Sequence, residues 1–404
     1  MIKNSLDWLR HNFKKYAIFF ALIVIMVVFQ LLTKGILFKP RNVSRLIYQN
    51  SYILISATGM LMCILTGGNI DLSVGSVLAL VSAMSGLLSA TLGLPVWISI
   101  IVALLSGLLA GVWQGYWIAY QKIPAFIVTL AGMFVFRGIN NLILDGKTIG
   151  LPDAYKIIAA KPVPDFLGKI DGLQFSQMLD GKEVILNTTC IAAGILFAAL
   201  FMVMTSVGRI NRKRKGYDVP SVVAFIAKLV VVSFIIVFAS YWLALDDGLP
   251  VILLVLGVLV WFYSFITQKT VLGRHLYALG GNAKAAALSG IKTKQILFLA
   301  YANMGFLAAI SGIVFAGRLN AASPLAGQGF ELDAIAACFI GGASATGGVG
   351  TVMGAIIGGF IMGILNNGMS IMSVDVFWQD IIKGLVLLFA VFFDVVSKSK
   401  TVTK

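Results

Sequence analysis

Eleven apolar runs, each 18 to 26 residues long, divide this chain near 16–33, 46–66, 72–92, 95–120, 124–144, 185–207, 220–244, 250–267, 297–316, 349–367 and 379–396. A membrane-crossing helix needs roughly 20 apolar residues, and in a bilayer only a helix or a closed barrel satisfies every backbone N–H and C=O. Runs of this length predict an all-α, polytopic transmembrane helical bundle. Apolar residues make up 59% of the 404 and charged residues 12%, against roughly 45–50% and 25% in a soluble domain. Mean hydropathy is +0.96. These values exclude a soluble enzyme, a secreted domain and a nucleic-acid partner. The formal charge of +15 sits in short loops between the runs, where cations set orientation in a membrane.

Both ends are basic: Lys3, Arg10, Lys14 and Lys15 at one, Lys398, Lys400 and Lys404 at the other. The positive-inside bias places both termini in the cytoplasm. The run from Tyr16 to about Thr33 is too long for a signal-peptide core and lacks a small-residue cleavage site, so it is expected to be the first span. Two cytoplasmic ends need an even number of crossings, and eleven is odd. A twelfth crossing is expected at Leu332–Ala345, which is apolar, short and glycine-ended. A short or broken helix at membrane depth is tolerated only where protein or a water-filled path surrounds it.

The chain thus reads as one transmembrane domain over 1–404, of about 12 spans, with an outer loop at 145–184 and a cytoplasmic segment at 268–296. Arg209, Arg212, Lys213, Arg214 and Lys215, and then Lys269, Arg274, Lys284, Lys292 and Lys294, suit inner loops. The stretch 145–183 has six acids against five lysines, and Asp246 and Asp247 mark another outer turn. Lys34, Lys39, Arg41 and Arg45 fall on the outside, against the bias. The outer loop reads either as a docking surface for an external partner or as a solvated linker.

Catalytic chemistry has no candidate. A phosphate-binding loop needs G-x-x-x-x-G-K-[ST]; Gly146-Lys147-Thr148 supplies its last letters, but position 141 is Asn. His11 and His275 sit in basic contexts, and Cys63, Cys190 and Cys338 lie far apart inside apolar runs, without metal-ligand or disulfide spacing. No cofactor or metal is expected in this chain.

Glycine carries more information. Gly107, Gly111 and Gly115 recur at spacing four, as do Gly354 and Gly358, and Gly359 and Gly363. Small residues at i, i+4 let helix backbones approach closely, within one protomer or between two copies. Gly67-Gly68 followed by Val74-Gly75-Ser76-Val77 is echoed by Gly341-Gly342 followed by Val349-Gly350-Thr351-Val352. Glycine-interrupted apolar segments at comparable places in two halves point to a transport site in repeat-built transporters.

Polar residues in or beside the runs are candidates for a path: Asn69, Asp71 and Ser73; Glu331 and Asp333; Asn366 and Asn367. Buried ionisable groups in membranes are costly and face a partner or a cavity. Asp71 or Ser73 also suits a helix N-cap. Arg137, deep in the fifth run, is expected to pair with a carboxylate or a helix C-terminus. The cytoplasmic stretch Gly273–Gly290, GRHLYALGGNAKAAALSG, is the sharpest local signal. Its Ala-rich part favours helix, starts at the N-cap residue Asn282 and stops at Gly290. A short helix outside the membrane is expected there, for a soluble partner to grip or as a plain connector.

At these residues the chain resembles the permeases of bacterial ABC-type monosaccharide importers, the ribose, xylose and galactose group. The motifs are GGNIDLSVGS (67–76), PAFIVTLAGMFVFRG (124–138), GRHLYALGGNAKAAALSGI (273–291), ELDAIAACFIGGASATGGVG (331–350) and NNGMSIMSVDVFWQDIIKG (366–384). The extra span pair around 185–270 is similar to the longer xylose-type or multiple-sugar branch. The resemblance implies a homodimer in the bacterial cytoplasmic (inner) membrane, an extracytoplasmic sugar-binding protein at the outer face, and a separate cytoplasmic ATPase that holds the ATP. It also implies that Gly273–Gly290, with Gly273, Arg274, Tyr277, Gly280, Gly281, Asn282, Ala285, Ser289 and Gly290, couples to that ATPase. On the residues alone, a gradient-driven secondary transporter or channel for small polar solutes remains the alternative.

Overall fold

The computed structural model describes residues 18–170, 174–179, 182–219 and 221–402. The basic N-terminal residues Lys3, Arg10, His11, Lys14 and Lys15, the loop acids Asp171 and Asp180, and Lys404 lie outside them. Each apolar run read from the sequence is mainly helix over its described residues. In chain order the helices are α1 (Ile18–Leu32), α2 (Pro40–Leu65), α3 (Val74–Gly86, extended by a π-helical turn to Thr91), α4 (Val96–Ala119) and α5 (Ala125–Leu144). They continue with α6 (Ala154–Ala159), α7 (Thr188–Arg214), α8 (Val222–Ala244), α9 (Val251–Lys269), α10 (Val271–Gly281) and α11 (Ala283–Leu288). The last four are α12 (Thr293–Leu319), α13 (Phe330–Ile340), α14 (Val352–Ile371) and α15 (Val376–Val402). Their starts follow capping chemistry: Asn187, Ser221, Thr270, Asn282 and Thr351 each accept a hydrogen bond from the backbone N–H three residues on.

Nine helices among the described residues are long and apolar enough to cross a membrane. Helix α2 is longer than most of them but opens with Arg41, Arg45, Gln49 and Asn50. Helix α13 (11 residues) overlaps the short segment expected at Leu332–Ala345, but it starts at Phe330 and ends at Ile340, before the glycines. Among the described residues the named strands form two small pairs, β1 (Ile149–Gly150) with β4 (Ala321–Ala322) and β2 (Phe175–Leu179) with β3 (Lys182–Leu186), both antiparallel.

The chain divides into two compact units. The larger comprises residues to Leu37, Tyr48–Ala160 and Ile252 onward. Within it α3, α12 and α14 are mostly buried, whereas α4, α5 and α15 turn apolar faces outward. Small residues set the spacing: Gly107 and Gly111 of α4 lie against Gly305 of α12, and Gly358 of α14 against Ala337 and Gly341 at the end of α13. Side chains at these glycines would overlap backbone. The glycine repeats are therefore used inside one chain. Some polar groups in this interior pair with each other, as in Ser56 Oγ donating to Ser311 Oγ at 2.9 Å.

The larger unit has two distinguishable ends. Gly86, Ile149 and Ala322 meet at one, beside the β1–β4 pair. Leu65, Gly68, Gly280 and the 341–350 connection meet at the other.

The smaller unit comprises Phe38–Ile47 and Lys161–Val251. Here α7 packs along α8, with Gly194 against Ser240. Trp242 donates its indole N–H to the Phe38 carbonyl at 2.6 Å, so the basic residues Lys39, Arg41 and Arg45 do accompany the Asp246–Asp247 turn. Asp165 takes hydrogen bonds from Gly168 N, Thr188 N, Thr189 N and Thr189 Oγ1 at 2.7–3.1 Å, which ties the loop before α7 to its first turn. Burial alone would raise the Asp165 carboxyl, but these donors together hold it below its ordinary value.

Candidate functional site: a junction of two broken helices and the α10–α11 segment

The two glycine-rich connections, 66–73 between α2 and α3 and 341–351 between α13 and α14, touch each other. Gly68 lies against the Ala345 carbonyl, and Gly347 against Gly67. Gly68 and Gly347 both have positive φ, +74° and +82°, a backbone region that costs glycine nothing. Gly348 N–H donates to the Leu65 carbonyl at 3.2 Å, bonding one connection to the last turn of α2. The echo in letters is not an echo in geometry: Val74 opens helix α3, whereas Val349 precedes α14 by three residues, and Thr351, not Gly350, caps it.

Helix α10 closes this junction. Gly280 packs on the Leu65 carbonyl and the Gly348 nitrogen with no room for a side chain. Tyr277 Oη donates to the Gly350 carbonyl at 2.8 Å. Asp394 of α15 accepts from Ala345 N at 3.0 Å, so a fourth element holds the same connection. The sequence reading did not select Leu65 or Asp394. An acid near the end of an apolar run was the available signal for Asp394; Leu65 acts through its carbonyl and leaves none.

The residues expected in the coupling segment divide into a base and an exposed face. Gly273 is buried at the α9–α10 corner, against the Ile266 and Thr267 carbonyls. Tyr277 and Gly280 belong to the junction. Arg274, Gly281, Asn282, Ala285, Ser289 and Gly290 are exposed. Asn282 Oδ1 caps α11 by accepting from Ala285 N at 3.0 Å. Ser289 Oγ donates to the Ala285 carbonyl at 2.9 Å, and Gly290, with φ +84°, ends the segment. Leu288, which the sequence reading passed over, is 91% exposed on α11. Beneath α10 lies a cavity of about 170 Å³ lined by Met62, Tyr263, Leu272, Leu276, Leu299 and Asn303.

The path candidates do not form one cluster. Asp71 is buried, and its Oδ1 accepts from Ser73 N at 2.8 Å and Ser73 Oγ at 2.7 Å. Gln114 of α4 donates to Ser73 Oγ, and Tyr301 Oη donates to the Ile70 carbonyl at 3.2 Å. Asp71 thus shapes the turn into α3 and accepts from Ser73, the N-cap residue, rather than from the helix's first turn. Asn69 turns back to Thr66 Oγ1 at 3.1 Å. Glu331 reaches the first turn of α3 beside Gly75, where the helix dipole favours negative charge.

Asp333 faces the other way, toward Asn366 and Lys383, whose Nζ is 3.9 Å from Asp333 Oδ2. Asn367 Nδ2 donates to Gln49 Oε1 at 3.5 Å. Arg137 donates to the Ala326 carbonyl and, at 3.5 Å, to that of Pro324, where Asn140 Nδ2 also donates at 3.2 Å. Arg137 therefore holds the α12–α13 connection; its hydrogen-bond partners are loop carbonyls rather than the carboxylate or helix C-terminus expected, with the Glu331 charge acting on it from nearby.

A bundle of this kind, with apolar helices broken at glycines and the capped α10–α11 segment seated on both breaks, is that of a multi-pass membrane transport protein. The family described as "Branched-chain amino acid transport system / permease component" matches residues 42–212 and 176–391, and the chain belongs to it. The chain is 39% identical over 391 residues to the xylose transport system permease protein XylH of Escherichia coli strain K12, covering 96% of this chain and 94% of that one. It is 38% identical over 389 residues to XylH of Haemophilus influenzae, covering 96% and 98%. It is 32% identical over 383 residues to the ribose import permease protein RbsC of Bacillus subtilis, covering 94% and 92%. No solved structure matches. The chain is a permease subunit and not an enzyme, a multi-pass protein of the bacterial inner membrane.

Proposed function

We propose that this chain is the membrane-spanning subunit of an ATP-driven importer of monosaccharides, with a pentose or hexose such as xylose or ribose as cargo. Two copies form the path, and lipid surrounds them. A cytoplasmic ATPase, which carries the ATP, grips α10–α11, and an extracytoplasmic sugar-binding protein delivers cargo to the opposite end. The twelve crossings are α1–α5, α7–α9 and α12–α15, with α13 the short one and both termini in the cytoplasm.

One observation carries this reading. The exposed α11 stands on a base, α10, that packs on the end of α2 through Gly280 and bonds to the α13–α14 connection through Tyr277. A push on α11 therefore reaches the α2–α3 and α13–α14 connections without an intervening flexible loop. The cavity under α10 supports movement there, because side chains that line a gap lack part of their packing contacts. Asp71–Ser73–Gln114 and Glu331 would sit along the moving helices, where hydroxyl-rich cargo finds acceptors. Sugar-dependent ATP hydrolysis in liposomes holding this chain, its ATPase and its binding protein tests the proposal. Uptake by the permease alone, driven by a proton gradient, would overturn it.

A further inference from the structure

The smaller unit carries a charged surface that the transport reading does not use. Helix α7 has 27 residues, about 40 Å at 1.5 Å per residue, whereas the hydrocarbon core is about 30 Å thick. Its outer end is pinned: Asn187 caps it, and Asp165 accepts from Thr188 N and Thr189 N. Twenty residues on from Thr188 bring the helix to Val207. The remaining turns, Gly208–Arg214, must emerge at headgroup depth.

That emerging end carries Arg209, Arg212, Lys213, Arg214 and Lys215. Arg209 lies over the Phe225 ring at 4.6 Å, which joins α7 to α8. The other four are exposed, and among the described residues no acid pairs with them. Tyr217, 62% exposed, follows at the depth where interfacial aromatics settle. Helix α8 turns its apolar side chains outward over most of its length, and Lys228, two turns in, has a stem long enough to bring its ammonium back to the same layer.

We infer that the inner end of α7 binds the anionic headgroups of cytoplasmic-leaflet phospholipids, through Arg212, Lys213, Arg214 and Lys215, with Tyr217 and Lys228 at the margin. Clustered cations directly below a membrane helix attract such headgroups, and the attraction is screened by salt. The apolar flank of α8 holds the acyl chains of the same lipids beside the cluster.

The test uses the full chain in nanodiscs of phosphatidylcholine with one quarter phosphatidylglycerol, and counts the lipids that remain bound on release into the gas phase. Wild type is expected to retain phosphatidylglycerol over phosphatidylcholine, with the preference lost in high salt. The variant Arg212→Gln/Lys213→Gln/Arg214→Gln/Lys215→Gln should lower that preference about tenfold, while Lys292→Gln/Lys294→Gln, in the other basic loop, leaves it intact. Equal retention of both lipids by wild type, or a preference unchanged in the fourfold variant, overturns the inference. If the fourfold variant does not fold, the salt dependence of wild type decides alone.

Discussion

The Tyr277 hydroxyl donates to the Gly350 carbonyl across 73 residues of sequence, at 2.8 Å. This bond joins α10 to the connection between α13 and α14. Tyr277→Phe keeps the ring and removes the bond. The expected stability loss is about 1 kcal/mol, the net worth of a typical intramolecular hydrogen bond. The larger effect should appear in coupling, as fewer sugars moved per ATP hydrolysed. An unchanged transport-to-hydrolysis ratio in Tyr277→Phe would remove this bond from the transmission route.

Adjacent glycines make a second test. A side chain at Gly280 overlaps backbone of Leu65 and Gly348, whereas Gly281 has open space around it. Gly280→Ala should destabilise by about 1–3 kcal/mol, as overpacking of a filled site does, and Gly281→Ala should stay within about 0.5 kcal/mol. Thermal unfolding in detergent reads the difference. Equal melting temperatures for the two variants would mean that α10 does not sit on Leu65.

Arg137→Ala removes the donor that Ala326 and Pro324 share. The expected loss is about 1–3 kcal/mol for a buried carbonyl left without a donor. Arg137→Lys restores the charge but not the planar fork, and should recover only part of it. Protection of residues 323–329 against hydrogen exchange would fall in Arg137→Ala; unaltered protection would contradict the clamp.

The Asp165 carboxyl titrates below its ordinary value of 3.8 in the folded protein. Its bonds to the first turn of α7 therefore contribute fully at neutral pH and are lost as pH falls through that depressed value. Asp165→Asn should flatten the acid limb of the melting curve between about pH 5 and pH 2. A limb as steep as that of wild type would show that other carboxyls govern acid stability.

Much of this architecture was legible in the sequence because a bilayer leaves few choices: each apolar run near 20 residues had to become helix. The short helix α13 was legible as an apolar segment ending in glycines. The short helix at 283–288 was legible through its cap and its terminal glycine. What could not be read was partnership across the chain. The spacing of Gly354 and Gly358 allowed a dimer seam, yet both pack on α13. The Val-Gly-Ser-Val and Val-Gly-Thr-Val match suggested equivalent positions, but one lies inside a helix and the other before one. Asp71 suited a cap or a path, and only its bonds to Ser73 show which turn it shapes. Carbonyls such as those of Leu65, Ala326 and Gly350 carry no side-chain signature at all.

The measurement that bears most directly on the account is sugar-stimulated ATP hydrolysis and uptake by the reconstituted complex carrying Ala285→Arg. Residue 285 is exposed on α11 and outside the junction, so the permease should insert and melt as wild type does. If α11 is the handle the ATPase grips, uptake falls to background and hydrolysis no longer responds to sugar. Hydrolysis and uptake both at wild-type levels would contradict it.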